Sequence, residues 1–96
     1  MILYNISIII EDGAHHDLFS WLKNMLREIS YETKFLKMLD SPHEGSTYCI
    51  QVIAADEETI QHFQTDVLQT IQAYIGNNHN EKAFIFDSKM QYLDLD

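Results

Sequence analysis

Hydrophobic positions change period repeatedly along this chain, and the order of those changes predicts its elements. Ile2, Tyr4, Ile6, Ile8 and Ile10 alternate with Leu3, Asn5, Ser7 and Ile9, the two-residue period of a strand with one buried face. The even-numbered set is expected to meet the rest of the core. After an expected turn at Glu11-Asp12-Gly13, Leu18, Trp21, Leu22, Met25, Leu26 and Ile29 recur at steps of three and four, which puts them on one stripe of a helix. Thr33–Asp40 and Ser46–Ala55 are rich in strand-forming residues, and Ser41-Pro42-His43-Glu44-Gly45 between them makes a hairpin connection. Asp56 stands at an N-cap position, with Glu57 and Glu58 in the first turn, where the helix dipole favours negative charge.

The second helical stripe is Ile60, Phe63, Val67, Ile71 and Tyr74, with Ile75 beside it, and Gly76-Asn77-Asn78 reads as its stop. Lys82–Leu93 then alternates again, with Phe84, Phe86, Met90 and Tyr92 on its more apolar face and Ile85, Asp87, Lys89 and Gln91 on the other. The element order is β-α-β-β-α-β. It predicts an α+β fold of the ferredoxin-like split βαβ kind, a four-stranded antiparallel sheet with both helices on one face. No linker, repeat or low-complexity tract interrupts it, so residues 1–96 are expected to form a single domain.

Charge narrows the possible partners. Fifteen acidic residues against six basic give a formal charge of -9, which repels a phosphate backbone, so no nucleic acid partner is expected. Cys49 is the only cysteine; it allows no internal disulfide and suits a reducing compartment, with the cytoplasm as the expected location. No apolar run approaches the ~20 residues that span a bilayer, and Met1–Ile10 lacks the basic start and cleavage site of an export signal. A soluble protein without a membrane partner is the expectation.

Tyr4-Asn5-Ile6-Ser7-Ile8, Trp21-Leu22 and Glu44-Gly45-Ser46-Thr47-Tyr48-Cys49-Ile50-Gln51 together resemble a small bacterial family of domains of unknown function, of about this chain's length. The resemblance spans nearly the whole chain. It implies a ferredoxin-like, dimeric α/β-barrel type of architecture without a known activity, and its recurrent polar positions fall here on Asn5, Thr47 and Gln51. A small residue such as Ala is more typical of that family where this chain has Cys49, which weakens any role for the thiol.

The sheet face opposite the helices carries the functional expectation. If the even residues of the first and third strands face the helices, Leu3, Asn5, Ser7 and Ile9 join Thr47, Cys49, Gln51 and Ile53 on the open side. Asn5, Ser7, Thr47, Cys49 and Gln51 then form a polar centre, the candidate ligand-binding set, within an apolar border to which Phe35 and Leu39 of strand two are also assigned. In strand two the opposite parity, Leu36 and Met38, competes, and a one-residue slip reverses it. Such a face suits a homodimer that removes the border from water, its polar groups bonded to one another, and secondarily a pocket for a small ligand.

The remaining chemistry is weak. Cys49 lacks the neighbouring cation or base that activates a nucleophile, and the histidines His15, His16, His43, His62 and His79 lack ligand spacing and read as surface residues. Neither a metal nor another cofactor is expected. Glu11/Asp12 and Glu57/Glu58 read as helix-start residues, and Trp21 as a core anchor. Three functions remain: a homodimeric binding or interaction module, an enzyme such as a small monooxygenase or isomerase with Asn5 and Gln51 orienting a polar ligand group, or an accessory protein that binds a different chain.

Overall fold

A computed structural model describes all residues 1–96. Its strands are β1 (Ile2–Ile10), β2 (Thr33–Lys37), β3 (Ser46–Ala54) and β4 (Ala83–Gln91). They form one antiparallel sheet in the order β2-β3-β1-β4. Helix α1 is Asp12–Glu28. Helix α2 is built from three consecutive segments, Glu57–Phe63, a π-helical stretch Gln64–Leu68 and Gln69–Asn78. The β-α-β-β-α-β order is as the periods predict.

Alternation decides which face each strand residue takes. Tyr4, Ile6, Ile8 and Ile10 are fully buried beneath the helices, paired with Val52, Ile50, Tyr48 and Ser46 in the register of β1 and β3. Above them Leu18 and Leu22 of α1 and Ile60, Phe63, Val67 and Ile71 of α2 complete the core. Phe63 meets both Tyr4 and Tyr31 edge to face, with ring centroids 5.9 and 5.0 Å apart. The π-helical stretch adds a residue to one turn, so the consecutive Val67 and Leu68 both point inward. Trp21 is only partly buried; its ring stacks on Tyr74 at 4.0 Å and joins α1 to α2 at the rim of the core.

Several local expectations are corrected. Asp12 and Gly13 belong to α1 rather than to a turn before it, and α2 runs through Gly76 to Asn78. The left-handed residue after α2 is Glu81, at φ 68°. β2 ends at Lys37; the Met38 amide still donates to the Thr47 carbonyl at 2.8 Å, and the chain then leaves for the connection to β3. Phe35 pairs with Ile50 and therefore faces the helices, stacking on Phe19 and Tyr48; Leu36 takes the open side. The parity of β2 is the reverse of the first assignment. Its helix-side position is filled by an aromatic ring that completes the shelf beside α1. Leu39 lies beyond β2 and is solvent-exposed.

Two local devices hold the connections. Asp56 caps α2, accepting from the Thr59 amide at 2.8 Å, which holds the Asp56 carboxyl below its ordinary range. Gly45 sits at φ 82°, and a Cβ there would lie 2.2 Å from the Ile10 carbonyl oxygen. Only glycine lets the β2–β3 connection pass so close to the end of β1.

Candidate functional site

Both helices cover one side of the sheet, and no element covers the other. The register places Leu3, Asn5, Ser7 and Ile9 of β1 beside Ile53, Gln51, Cys49 and Thr47 of β3. On the other flank of β1 they meet Met90, Ser88, Phe86 and Phe84 of β4. Leu36 and Lys34 of β2 extend the face beyond Cys49 and Gln51. Ile53, Phe84, Phe86 and Met90 remain about half exposed, so apolar surface lies toward both ends of the face, interrupted at the level of Asn5 and Gln51 by Ser88 and Lys34.

The polar centre is a directed chain of hydrogen bonds. The Gln51 amide donates to Asn5 Oδ1 at 3.1 Å, and Asn5 Nδ2 donates to Ser7 Oγ at 2.9 Å. Ser7 Oγ lies 3.6 Å from Cys49 Sγ, within sulfur hydrogen-bond range. Cross-strand pairing brings Asn5, Ser7, Cys49 and Gln51 together because Asn5 opposes Gln51 and Ser7 opposes Cys49. Thr47 stands apart. It is only 3% exposed, and its hydroxyl is bonded at 3.0 Å to Ser41 of the β2–β3 connection. No buried side-chain nitrogen or oxygen lacks a partner.

Cys49 has Ser7, and no histidine or carboxylate, as its side-chain partner. No group of three or more His, Cys, Asp or Glu side chains is arranged to hold a metal ion. Tyr4, on the opposite side of the sheet, donates to Asp87 at 2.6 Å; burial, reinforced by that bond, pushes its hydroxyl far above the ordinary phenol range and keeps it protonated. Two histidines are more engaged than their sequence positions imply. His15 bonds the Tyr48 hydroxyl at 2.7 Å, and His79 bonds Asp17 at 2.7 Å alongside the Tyr74 hydroxyl at 2.6 Å. Tyr74 and His79 together hold the Asp17 carboxyl below its ordinary value, and Asp17 in turn raises that of Tyr74.

Sequence reasoning found the polar row but missed β4. The apolar parity of Phe84, Phe86 and Met90 was visible. Its face was not, because only the pairing of Phe86 with Ser7 says that this parity points away from the helices.

The family model described as "Domain of unknown function (DUF4286)" matches residues 1–93. No curated protein matches the chain by sequence. Among solved structures, an antibiotic biosynthesis monooxygenase superposes with a TM-score of 0.59 at 11% identity, over 98% of this chain and 100% of that one. A DABB family protein with a ferredoxin-like fold from Mesorhizobium loti gives 0.58 at 7% identity, over 98% and 100%. A variant of MhuD with two manganese protoporphyrin IX bound per active site gives 0.61 at 16% identity, over 100% and 99%. At these identities the likeness is one of fold, and the fold is ferredoxin-like.

Proposed function

We propose that this chain, which belongs to the DUF4286 family of domains of unknown function, is a homodimeric binding module whose open sheet face is the contact between two copies. One observation carries the reading: exposed apolar side chains flank a polar row whose members already bond one another. Burying unpaired amides against a second sheet costs several kcal/mol, whereas burying amides bonded to each other costs little. A second copy is the occupant that suits this face, since a two-fold axis sets the same border against itself. A second copy carries the same charge of -9, but the open face itself holds few charges, so little of that repulsion is set directly across the contact.

The area is sufficient but not generous. Four strands about 4.8 Å apart, and up to nine residues long at about 3.3 Å each, offer a flat footprint on the order of 500 Å² per copy. Two copies then reach the lower bound of specific interfaces, about 1,000 Å² in total, before side-chain relief is counted. The lone Cys49 and the absence of any disulfide accord with a reducing compartment such as the cytoplasm.

Native mass spectrometry of the purified chain at low micromolar concentration tests this reading. A dimer without added mass is expected. A monomer refutes it, and a dimer that reproducibly keeps a small molecule shifts the function to ligand carriage or catalysis at the enclosed row.

A further inference from the structure

Strand β2 is hydrogen-bonded only to β3, so its outer edge is free. The ladder decides which groups that edge presents. Beyond the end of β2 the Met38 amide donates to the Thr47 carbonyl, and the main-chain groups of successive strand residues point to alternate sides. Lys34 and Leu36 therefore bond inward to β3, while Thr33, Phe35 and Lys37 direct their amides and carbonyls outward. No turn, loop or cap bond uses these outward groups.

The same three residues face the helix layer, since Phe35 pairs with Ile50. Beside them α1 and the edge enclose a groove of about 240 Å³ lined by Lys23, Leu26, Arg27, Thr33 and Phe35. Half-buried Leu26 and Phe35 give it an apolar floor. Its surroundings are basic. Lys23, Arg27, Lys37 and, on the open side of the sheet, Lys34 are all exposed, and they are four of the chain's six basic residues. The other two, Lys82 and Lys89, are paired with Glu11 and Glu57, whereas none of these four takes part in an ion pair. Lys23 lies over the Phe19 ring instead, 5.1 Å from its centroid. Lys34 shares the open side with Glu32, so the cations that recruit a charged partner are the helix-side trio Lys23, Arg27 and Lys37.

We infer that the β2 edge is a docking site for an extended acidic segment of another protein, which adds to the sheet as a further strand. The two-residue period puts the positions opposite Thr33, Phe35 and Lys37 on one face of that segment, so an apolar side chain enters the groove opposite Phe35 and a carboxylate on either side of it meets the basic rim. Main-chain bonds supply affinity and the side chains supply selectivity. A peptide suits this edge better than a nucleic acid, because the edge alternates donors and acceptors while phosphate oxygens only accept. A second copy suits it less, because β2 set against β2 places the same cations opposite each other. The net charge of -9 acts from farther away, and at physiological ionic strength charges beyond about 8 Å are largely screened. The open face takes no part, so the site is the same in the dimer proposed above and in a single copy.

The test is an amide NMR titration of the full chain with the acetylated and amidated peptide Thr-Glu-Thr-Leu-Thr-Glu-Thr, with amide exchange followed along β2. Binding in the micromolar range that weakens as salt rises is expected, with slowed exchange at Thr33, Phe35 and Lys37 and little change at Lys34 and Leu36, which β3 already protects. Lys23→Glu/Arg27→Glu and, separately, Lys37→Glu are expected to weaken binding at least about tenfold, while Lys23→Arg/Arg27→Lys keeps it and urea midpoints show every variant folded. A peptide with lysine in place of glutamate is expected not to bind. The inference is overturned if the acidic peptide does not bind, if it binds without slowing those three amides, or if the folded charge reversals bind as well as the unaltered chain. It is also overturned if a single-stranded DNA oligonucleotide displaces the peptide at equal concentration, or if sedimentation shows assemblies larger than a dimer that the peptide dissolves, which gives the edge to a second copy.

Discussion

Replacing Phe86 with alanine separates assembly from folding, because this ring points away from the core. It is 59% exposed in the isolated copy and pairs across the sheet with Ser7. A phenylalanine carries about 200 Å² of surface, so roughly 120 Å² of Phe86 is available for burial, equivalent to about 3 kcal/mol at 25 cal/mol per Å². Alanine keeps about a third of that, leaving a loss of about 2 kcal/mol per copy. The two-fold axis counts the position twice, which makes about 4 kcal/mol, or about a thousandfold in the dissociation constant. Ordering the ring at an interface offsets part of the gain, so the expected weakening lies between about tenfold and about a thousandfold.

Sedimentation equilibrium of wild type and Phe86→Ala over a broad concentration range reads this directly. Urea unfolding at a concentration where both are monomeric supplies the control, with an expected change within about 0.5 kcal/mol. An unchanged dimer constant for Phe86→Ala refutes the open-face interface. A large loss of monomer stability refutes the assignment of Phe86 to the solvent side.

Three further outcomes follow from the core, the turn and the helix layer. Phe63→Ala removes a fully buried ring packed on Tyr4 and Tyr31, and chemical denaturation is expected to show a loss of about 3–5 kcal/mol. Gly45→Ala places a Cβ against the Ile10 carbonyl at a positive φ, so its thermal midpoint is expected to fall by several degrees, corresponding to at least about 1 kcal/mol. Asp17 is held below its ordinary carboxylate value by Tyr74 and then His79, so its contribution is present above the unfolded value near 3.8 and is lost as pH falls through the lower folded value. Asp17→Asn is therefore expected to flatten the acid limb of the stability curve below about pH 4, measured by urea midpoints; an unaltered limb refutes the role of this trio.

What the sequence alone determined is what depends on period. A two-residue alternation can bury only one face, so Tyr4, Ile6, Ile8 and Ile10 had to be core, and the six elements followed in order. Capping chemistry is equally local, and Asp56 caps α2 as its side chain dictates. The polar row of Asn5, Ser7, Cys49 and Gln51 was legible because two strands of clear parity meet in the centre of the sheet.

Tertiary structure decided whatever depends on register or on a distant partner. β2 has apolar residues at both parities, and only its pairing with Ile50 turned Phe35 inward and Leu36 outward. Thr47 has the right parity for the row, yet Ser41 of the adjoining connection takes its hydroxyl. His15 and His79 read as surface residues until folding set them against Tyr48 and Asp17, 33 and 62 positions away. The apolar half of β4 gained its meaning in the same way: the alternation of Phe84, Phe86 and Met90 is local, but which side of a sheet is left uncovered is a property of where the helices pack.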